Sequence, residues 1–269
     1  MAFNPFEQLG LKEVADVIVY NISGSTPVPV MFFDTLKLSN IEQTAESTDA
    51  RGGKGNPKLI SWDYGKEITL TLQDALLSSR SLSLLTNPLA SGTATTFDGA
   101  TSHAAAKKIK KAEMVTLNSN KGFTPKYSPA STSGVYVLEG ATYVSSTTSG
   151  YIYTAGTAGD IVRIVYEVNS TTNGAYEIVI TPEKFPGTYM IVGDTVVRNK
   201  KTGLDEGFQF IIPKAKFGSD VTLTMEAEGD PSVFDMNITV LRADNGSMMS
   251  LVRYDIGDAA AATAISNLT

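Results

Sequence analysis

The stretch from Ala50 to Leu85, ARGGKGNPKLISWDYGKEITLTLQDALLSSRSLSLL, decides the fold class of this 269-residue chain. It begins with a glycine-rich, basic loop at Arg51–Lys58 and continues through Trp62, the only tryptophan. The segment Glu67–Gln73 then alternates polar and apolar residues, and a period of two predicts a half-buried strand. The leucine-rich run Leu76–Leu85 has helical spacing and predicts a helix. A loop, a strand and a helix in succession indicate a building block rather than a catalytic pocket.

The predicted strand has two unlike faces. Its apolar face consists of Ile68, Leu70 and Leu72, which are expected to enter a core. Asp74 follows the strand, and its carboxylate is expected to cap the helix by accepting N–H groups of the first turn. The polar face of the strand consists of Glu67, Thr69, Thr71 and Gln73.

The N-terminal part gives weaker patterns. Residues 1–13 are predicted to form an arm with a short helical turn near Glu7–Lys12. Asp16–Tyr20 is predicted to be a first strand, and Val30–Leu38 a second, bulged strand. The polar, glycine-rich segment Ser39–Pro57 is predicted to be a long mobile loop.

The C-terminal part returns to long strands. Val221–Glu228 alternates, with Thr222, Thr224, Glu226 and Glu228 on its polar face. The other predicted strands are Gly187–Val197, Phe208–Ile212, Phe234–Leu241 and Met248–Tyr254. The chain is therefore predicted to be mainly β, with a β-sandwich or barrel-like architecture and one flanking helix.

Between these parts, short β-rich runs separated by Ser, Thr and Gly predict hairpins. The run Ala104–Lys111 before them is compatible with either a short basic helix or an edge strand. The predicted organisation is two halves of one domain at 1–112 and 176–256, an inserted β-rich region at 113–175, and a flexible tail at 257–269.

The net charge and the residue composition exclude or disfavour several classes of function. The net charge of −6 and the pI of about 4.9 disfavour a protein that grips nucleic acid, although an acidic surface can face DNA without holding it. The chain has no cysteine, so thiolate chemistry and disulfides are absent. We expect no signal peptide and no membrane-spanning segment.

Candidate chemistry is sparse. His103 is the only histidine, and it stands in a Thr-Ser-His-Ala-Ala stretch without strand or elbow context, which favours an exposed loop residue over a member of a Ser-His-Asp triad. One histidine and no cysteine leave a zinc site with too few preferred ligands. The Arg51–Gly55 loop lacks the spacing of a phosphate-binding P-loop. Glu226 and Glu228 continue a polar face, and this favours a wetted surface over acid–base catalysis. No enzymatic activity, cofactor or metal is predicted.

Several stretches resemble the major tail proteins, or tail tube proteins, of tailed bacteriophages. The resemblance covers about two thirds of the chain and leaves out 113–175. It also includes the loop, strand and helix of Ala50–Leu85. The C-terminal stretches that carry it are Phe185–Tyr189, Gln209–Lys214, Val221–Asp235, Asn237–Leu241 and Met248–Tyr254.

The resemblance implies a structural protein of the virion tail that is made in the host cytoplasm. Six copies would close into a ring, and rings would stack into a hollow tube. DNA and a tape-measure protein would occupy the lumen without tight binding, and sheath or tail-terminator proteins are further partners.

Two sets of residues then receive expected roles. The lumen-facing set is Glu67, Thr69, Thr71, Gln73, Thr222, Thr224, Glu226 and Glu228. The intersubunit loop, expected to be disordered in a free copy, is Arg51, Gly52, Gly53, Lys54, Gly55, Asn56 and Lys58. An alternative function is a β-sandwich module that binds cell surfaces or carbohydrate, which the Ser/Thr/Gly/Tyr-rich hairpins of 135–180 favour.

Overall fold

The computed structural model describes residues 7–11, 13–91, 95–102, 107–131, 133–138, 142–143, 145–147, 150–170, 174–223 and 233–256. Strands dominate these residues and one helix accompanies them, which confirms the mainly β prediction. In chain order the elements are β1 Leu9–Leu11, β2 Asp16–Asn21, β3 Val28–Phe33, β4 Leu36–Arg51, β5 Lys58–Asp74, α1 Ser79–Thr86, β6 Ala100–Ser102, β7 Lys108–Thr116, β8 Gly122–Phe123, β9 Tyr136–Val137, β10 Thr142–Tyr143, β11 Ser145–Thr147, β12 Gly150–Ile152, β13 Ile161–Asn169, β14 Tyr176–Ile178, β15 Thr188–Asn199, β16 Asp205–Phe217, β17 Phe234–Val240 and β18 Ser250–Tyr254.

The chain divides into two compact units. The first unit joins Met1–Ala100 to Val179–Thr269, and the second unit is Thr101–Ile178. The insertion predicted at 113–175 lies within the second unit.

The first unit is built on a nine-stranded sheet in the order β3-β2-β15-β16-β17-β5-β4, with β1 beside β15 and β18 beside β16. Every step along this order is antiparallel. The terminal strands β3 and β4 are separated by six such reversals, so they run in the same direction.

One face of this sheet carries the core. Leu70 and Leu72 of β5 are fully buried, as are Met236 and Ile238 on the neighbouring β17. Helix α1 contributes Leu84 and Leu85 to the same buried cluster. The leucine-rich side of the predicted helix therefore packs against the core. The alternation in Glu67–Gln73 therefore identified the buried face correctly.

The start of the helix differs from the prediction. Ser78, not Asp74, is the N-cap: its hydroxyl accepts from Ser81 N–H, and the Ser81 side chain accepts from Ser78 N–H. This capping box satisfies the free N–H groups locally. Asp74 is instead the last residue of β5, where its carboxylate accepts from the Thr35 hydroxyl and from Leu76 N–H. Leu76 lies outside the helix and is exposed.

The predicted mobile loop at Ser39–Pro57 is wrong over most of its length. Residues 36–51 form β4, which pairs with β5 along a 16-residue strand. Most of its side chains are exposed, so burial imposes no alternation on the sequence and the strand is held by backbone pairing.

Three smaller predictions are also decided. The helical turn near Glu7–Lys12 is wrong, because Leu9–Leu11 pairs as a strand with β15. The edge-strand alternative for the lysine run is correct, since Lys108 opens β7. Val221–Leu223 lies outside any strand, and the rest of the predicted Val221–Glu228 strand lies outside the described residues.

The second unit has its own small sheets and core. Strands β10, β9, β13 and β7 form one sheet, and β11, β12 and β8 form another. Ile164 and Tyr166 of β13 are buried with Val135 and Val137. The Tyr166 hydroxyl donates to the Glu113 carboxylate at 2.7 Å, and burial raises the pKa of Tyr166 to about 12.

Candidate functional site

The polar face at the base of the β4–β5 hairpin extends over neighbouring strands. Thr71 lies opposite Asn237 and Gln73 opposite Asp235. The Gln73 amide donates to the Asp235 carboxylate at 2.8 Å, and the Thr71 hydroxyl donates to the Asn237 side-chain oxygen at 3.4 Å. These cross-strand pairs make one continuous polar surface.

Strand β4 widens the same surface. Asn40 pairs with Thr71, and Glu42 pairs with Thr69. The contributions of Asn40, Glu42, Asp235 and Asn237 were missed from the sequence, because they depend on strand order and register. The alternation of Phe234–Val240 could have identified the two β17 residues as solvent-facing.

The structure locates only part of the predicted lumen-facing set. Glu67, Thr69, Thr71 and Gln73 lie on the solvent side of β5, away from the core. Thr222 is exposed and outside any strand, so it does not continue this row. Thr224, Glu226 and Glu228, and also His103, lie outside the described residues.

Beyond this base, the hairpin continues as a two-stranded ribbon. Strand β17 pairs with β5 only over Thr69–Asp74. In the described part of the chain, residues 58–68 of β5 pair with β4 alone. Every residue from Lys58 to Glu67 is exposed. We call the segment 44–67, which comprises the outer parts of β4 and β5 and their connecting turn, the ribbon.

A β-bulge at Gly65 separates the base from the ribbon. Thr44 pairs with Glu67, but Glu46 pairs with Tyr64, so one residue of β4 lies opposite two residues of β5. Gly65 has a φ of 61°, in the left-handed region that glycine adopts most easily in such bulges. Because of this extra residue, the β5 residues on the ribbon side of the bulge point to the opposite face of the sheet from the one that strict alternation with Ile68 and Leu70 would give.

This reversal gives the ribbon an exposed apolar face. Ile60, Trp62 and Tyr64 have the even numbering of the buried residues Ile68 and Leu70, yet they lie on the face that carries Glu67. Their exposed fractions are 53%, 52% and 53%. Their cross-strand partners on this face are Ala50, Thr48 and Glu46.

The opposite face of the ribbon is polar. The Asp49 carboxylate accepts from the Ser61 hydroxyl at 2.8 Å and lies 2.7 Å from the Lys58 ammonium. The Arg51 guanidinium is a third partner at 3.3 Å. The hydrogen bonds, chiefly from Lys58, hold the pKa of Asp49 below its ordinary value.

The seven predicted loop residues surround the turn of the ribbon. Arg51 ends β4, Lys58 begins β5, and Gly52–Asn56 lie between them. Gly53 and Gly55 have φ angles of 85° and 91°. The turn is closed by hydrogen bonds from Gly52 N–H to the Pro57 carbonyl and from Asn56 N–H to the Gly53 carbonyl.

Ion pairs also connect the two ends of the first unit. Arg253 of β18 donates to Glu206 of β16 and, at 2.8 Å, to Glu7 near the N-terminus. Asn199 donates to both carboxylates. The hydrogen bonds from Arg253 are the main cause that lowers the pKa of Glu7 and of Glu206.

The described residues contain no group of three or more His, Cys, Asp or Glu side chains that could hold a metal ion. In the same residues, no helix has the length and apolar character needed to cross a membrane. The polar surface at the hairpin base carries hydrogen-bond donors and acceptors, and the ribbon carries exposed apolar side chains.

Comparison with known proteins gives one family. Residues 9–252 match the YomU/Tube protein family. The match begins at the first residue of β1, ends within β18, and runs through the 113–175 segment that the sequence resemblance left out. A search of curated proteins gave no match.

Proposed function

The chain belongs to the YomU/Tube protein family, and on that premise we propose that it is a structural, non-enzymatic tail tube protein of a bacteriophage. Its copies close into hexameric rings, and the rings stack into a hollow tube through which DNA passes. Its location is the virion tail, after synthesis in the host cytoplasm.

Within the described residues, each end strand of the large sheet has a strand neighbour on one side only, and this is the main support for this proposal. Strand β3 lies at one end of the sheet and β4 at the other. An exposed edge presents unpaired N–H and C=O groups that favour pairing with another chain. Two different edges that meet in a head-to-tail manner generate a ring when the rotation closes. A closed ring of sheets is a barrel without edges.

The polar surface of the hairpin base supports an inner wall. Thr69, Thr71 and Gln73 offer hydroxyl and amide groups, with Glu67 and Asp235 as acidic members. Residues 101–178 contain seven basic and five acidic residues, so the net charge of −6 arises in the first unit. An acidic wall repels phosphate and lets DNA pass without tight binding. A tape-measure protein would share this lumen, and sheath or tail-terminator proteins would meet the outside and the end of the tube.

The test is the assembly state of the purified full-length protein. Sedimentation velocity over a range of concentrations and negative-stain electron microscopy should show hollow rings or tubes with six-fold class averages. A species that stays monomeric at every concentration would contradict the proposal, and rings of another symmetry would overturn the hexamer alone.

A second candidate function is carbohydrate or cell-surface binding by the second unit. A cleft of about 390 Å³ there is lined by the half-exposed Tyr136 together with Ser131, Lys110 and Glu167. An aromatic ring beside hydroxyl and charged groups suits a sugar. The test is a glycan array with the full-length protein: Tyr136→Ala should abolish binding, while Tyr176→Ala, which alters another exposed tyrosine, should not.

A further inference from the structure

We propose that the cleft of the second unit binds an anionic saccharide, with the sugar ring against Tyr136 and the anionic group on Lys110. The inference rests on the carbohydrate-binding function proposed above for this cleft, and it adds the chemical class of the sugar. It is independent of ring or tube assembly. Strands β7, β9 and β13 and the segment 131–134 before β9 line the cleft.

The cleft lies on the face of the second unit's sheet that points away from its core. Tyr136 pairs with Val165 across β9 and β13, and Glu167 pairs with Lys110 across β13 and β7. Val165 and Glu167 are two residues apart on one strand, so these four side chains share a face. Tyr166 between them belongs to the buried cluster on the other face. Strand order and register therefore bring an aromatic ring and an ammonium group to one concave surface.

The size and lining of the cleft fit a short saccharide. Its volume of about 390 Å³ lies within the usual range of about 300–1,000 Å³ for small-molecule sites. The Tyr136 side chain is 47% exposed and offers an apolar ring surface. The Ser131 hydroxyl lines the cleft and lies 3.0 Å from the Ser133 hydroxyl. A sugar presents C–H groups on the face of its ring and hydroxyl groups at its edge, so it can use both kinds of surface.

The charges in the cleft favour an anionic sugar over a neutral one. Glu167 is the acidic residue that lines the cleft, and its carboxylate lies 3.4 Å from the Lys108 ammonium. Lys110 is exposed, and its ammonium has no hydrogen-bond or ion-pair partner among the described residues. An ammonium donates strong, charge-assisted hydrogen bonds to carboxylate and phosphate oxygens. Lys110 is therefore the group that receives the anion.

The surroundings of the cleft have the same sign of charge. On the face of the sheet that carries the cleft, the described strand residues include three cations, Lys108, Lys110 and Arg163, and one anion, Glu167. Residues 101–178 as a whole contain seven basic and five acidic residues, although the chain has a net charge of −6. A local positive field attracts an anionic polymer and raises its association rate.

Three oligosaccharides that differ in one substituent test the class of sugar. The probes are an oligosaccharide of glucose, the same chain oxidised to glucuronic acid, and the same chain with phosphate esters on its primary hydroxyl groups. Isothermal titration calorimetry with the full-length protein should show that at least one anionic chain binds more than about tenfold more tightly than the neutral chain. The difference should shrink as salt is added, because salt screens exposed charges. The tighter of the two anionic chains identifies carboxylate or phosphate as the preferred group.

Substitutions on one strand supply a matched control. Lys110→Met should remove the preference for the anionic chain and leave the affinity for the neutral chain unchanged, whereas Lys110→Arg should keep the preference. Lys111→Met changes the net charge equally, but Lys111 lies on the opposite face of β7, where its ammonium is 5.6 Å from the centre of the Tyr127 ring. This control should bind as the wild type does. Tyr136→Ala should weaken the binding of all three chains, and circular dichroism checks that the variants are folded.

The outcomes separate this inference from the function on which it rests. Equal affinities for the three chains, or equal losses in Lys110→Met and Lys111→Met, would overturn the anionic class and leave carbohydrate binding standing. A glycan array without any binding would overturn the carbohydrate function itself. Neither result would affect the tail tube function, which the assembly state tests.

Discussion

The base and the ribbon of the β4–β5 hairpin use the same two strands for opposite purposes. At the base, Leu70 and Leu72 are buried and Thr69 and Thr71 face solvent. In the ribbon, Trp62 and Tyr64 face solvent on the side that is polar at the base. Burial of the apolar face stabilises the base within its own chain, whereas the apolar side chains of the ribbon are exposed in the described part of the chain. Strand pairing alone therefore does not say what a β-hairpin contributes to a fold.

The largest effect on stability is expected at the base. Leu70→Asp places a carboxylate in a fully buried site without a partner and should destabilise the fold by more than about 4 kcal/mol. Thermal unfolding followed by circular dichroism, or loss of soluble protein, measures this. Thr71→Asp, one residue along the same strand but on its solvent face, should cost less than about 1 kcal/mol. Equal losses for both variants would contradict the assignment of faces.

The next effect concerns the bulge that separates the two halves. Gly65→Ala forces a side chain into the left-handed region and should cost about 1–2 kcal/mol. Gly203→Ala carries a similar backbone cost in the β15–β16 turn, where an added Cβ meets nothing within 4 Å. Denaturant unfolding should rank the two similarly, but only Gly65→Ala should impair assembly, because only that site sets the facing of Trp62. Equal assembly defects in the two variants would show that the bulge at Gly65 has no specific role in assembly.

Acid should affect the first unit through the ion pairs that Arg253 makes with Glu7 and Glu206. The folded-state pKa values of Glu7 and Glu206 are lowered, so their stabilisation is present above the ordinary value of 4.5 and is lost as pH falls through the folded values. Arg253→Met should therefore flatten the loss of stability below pH 4.5 in urea unfolding curves. Asp49→Asn in the ribbon, where the pKa of Asp49 is also lowered, should change the global curve less. A steeper acid slope in Arg253→Met would contradict this reasoning.

The smallest effect on stability is expected at the apolar face of the ribbon. Trp62→Ala removes a side chain that is half exposed in the single chain, and the free energy of unfolding of unassembled protein should change by less than about 0.5 kcal/mol. Its melting curve at low concentration should match wild type, while light scattering should show weaker assembly. A large drop in the melting temperature of the monomer would show that Trp62 packs within its own chain.

Sequence reasoning was strongest where burial imposes a pattern. The alternation of Glu67–Gln73 predicted that strand and its buried face, and the alternation of Phe234–Leu241 predicted a second strand. The sequence analysis failed at Ser39–Arg51, where most side chains of a long strand are exposed and only Ile41 packs against the core, so burial leaves no alternating pattern in the sequence. The sequence analysis also predicted Asp74 as the helix cap, whereas the cap is Ser78. Both residue types can accept hydrogen bonds from backbone N–H groups, and Asp74 is excluded only because β5 continues through it.

The candidate site was found in part for the same reason. Thr69, Thr71 and Gln73 could be assigned to a solvent face by period alone. Their partners Asp235 and Asn237 lie more than 160 residues away in the sequence. The register between two distant strands cannot be inferred from the residues of either strand alone.

The amino-acid sequence by itself determined the mainly β class, the half-buried strand of Glu67–Gln73 and the lack of cysteine chemistry, because these depend on composition and local period. Only the tertiary structure decided which way Trp62 faces. Local alternation predicts that even-numbered residues share the buried side of Leu70, but the bulge at Gly65 adds one residue to one strand and turns Ile60, Trp62 and Tyr64 outward. A shift of register is a property of two paired strands, so it appears only when both are in place.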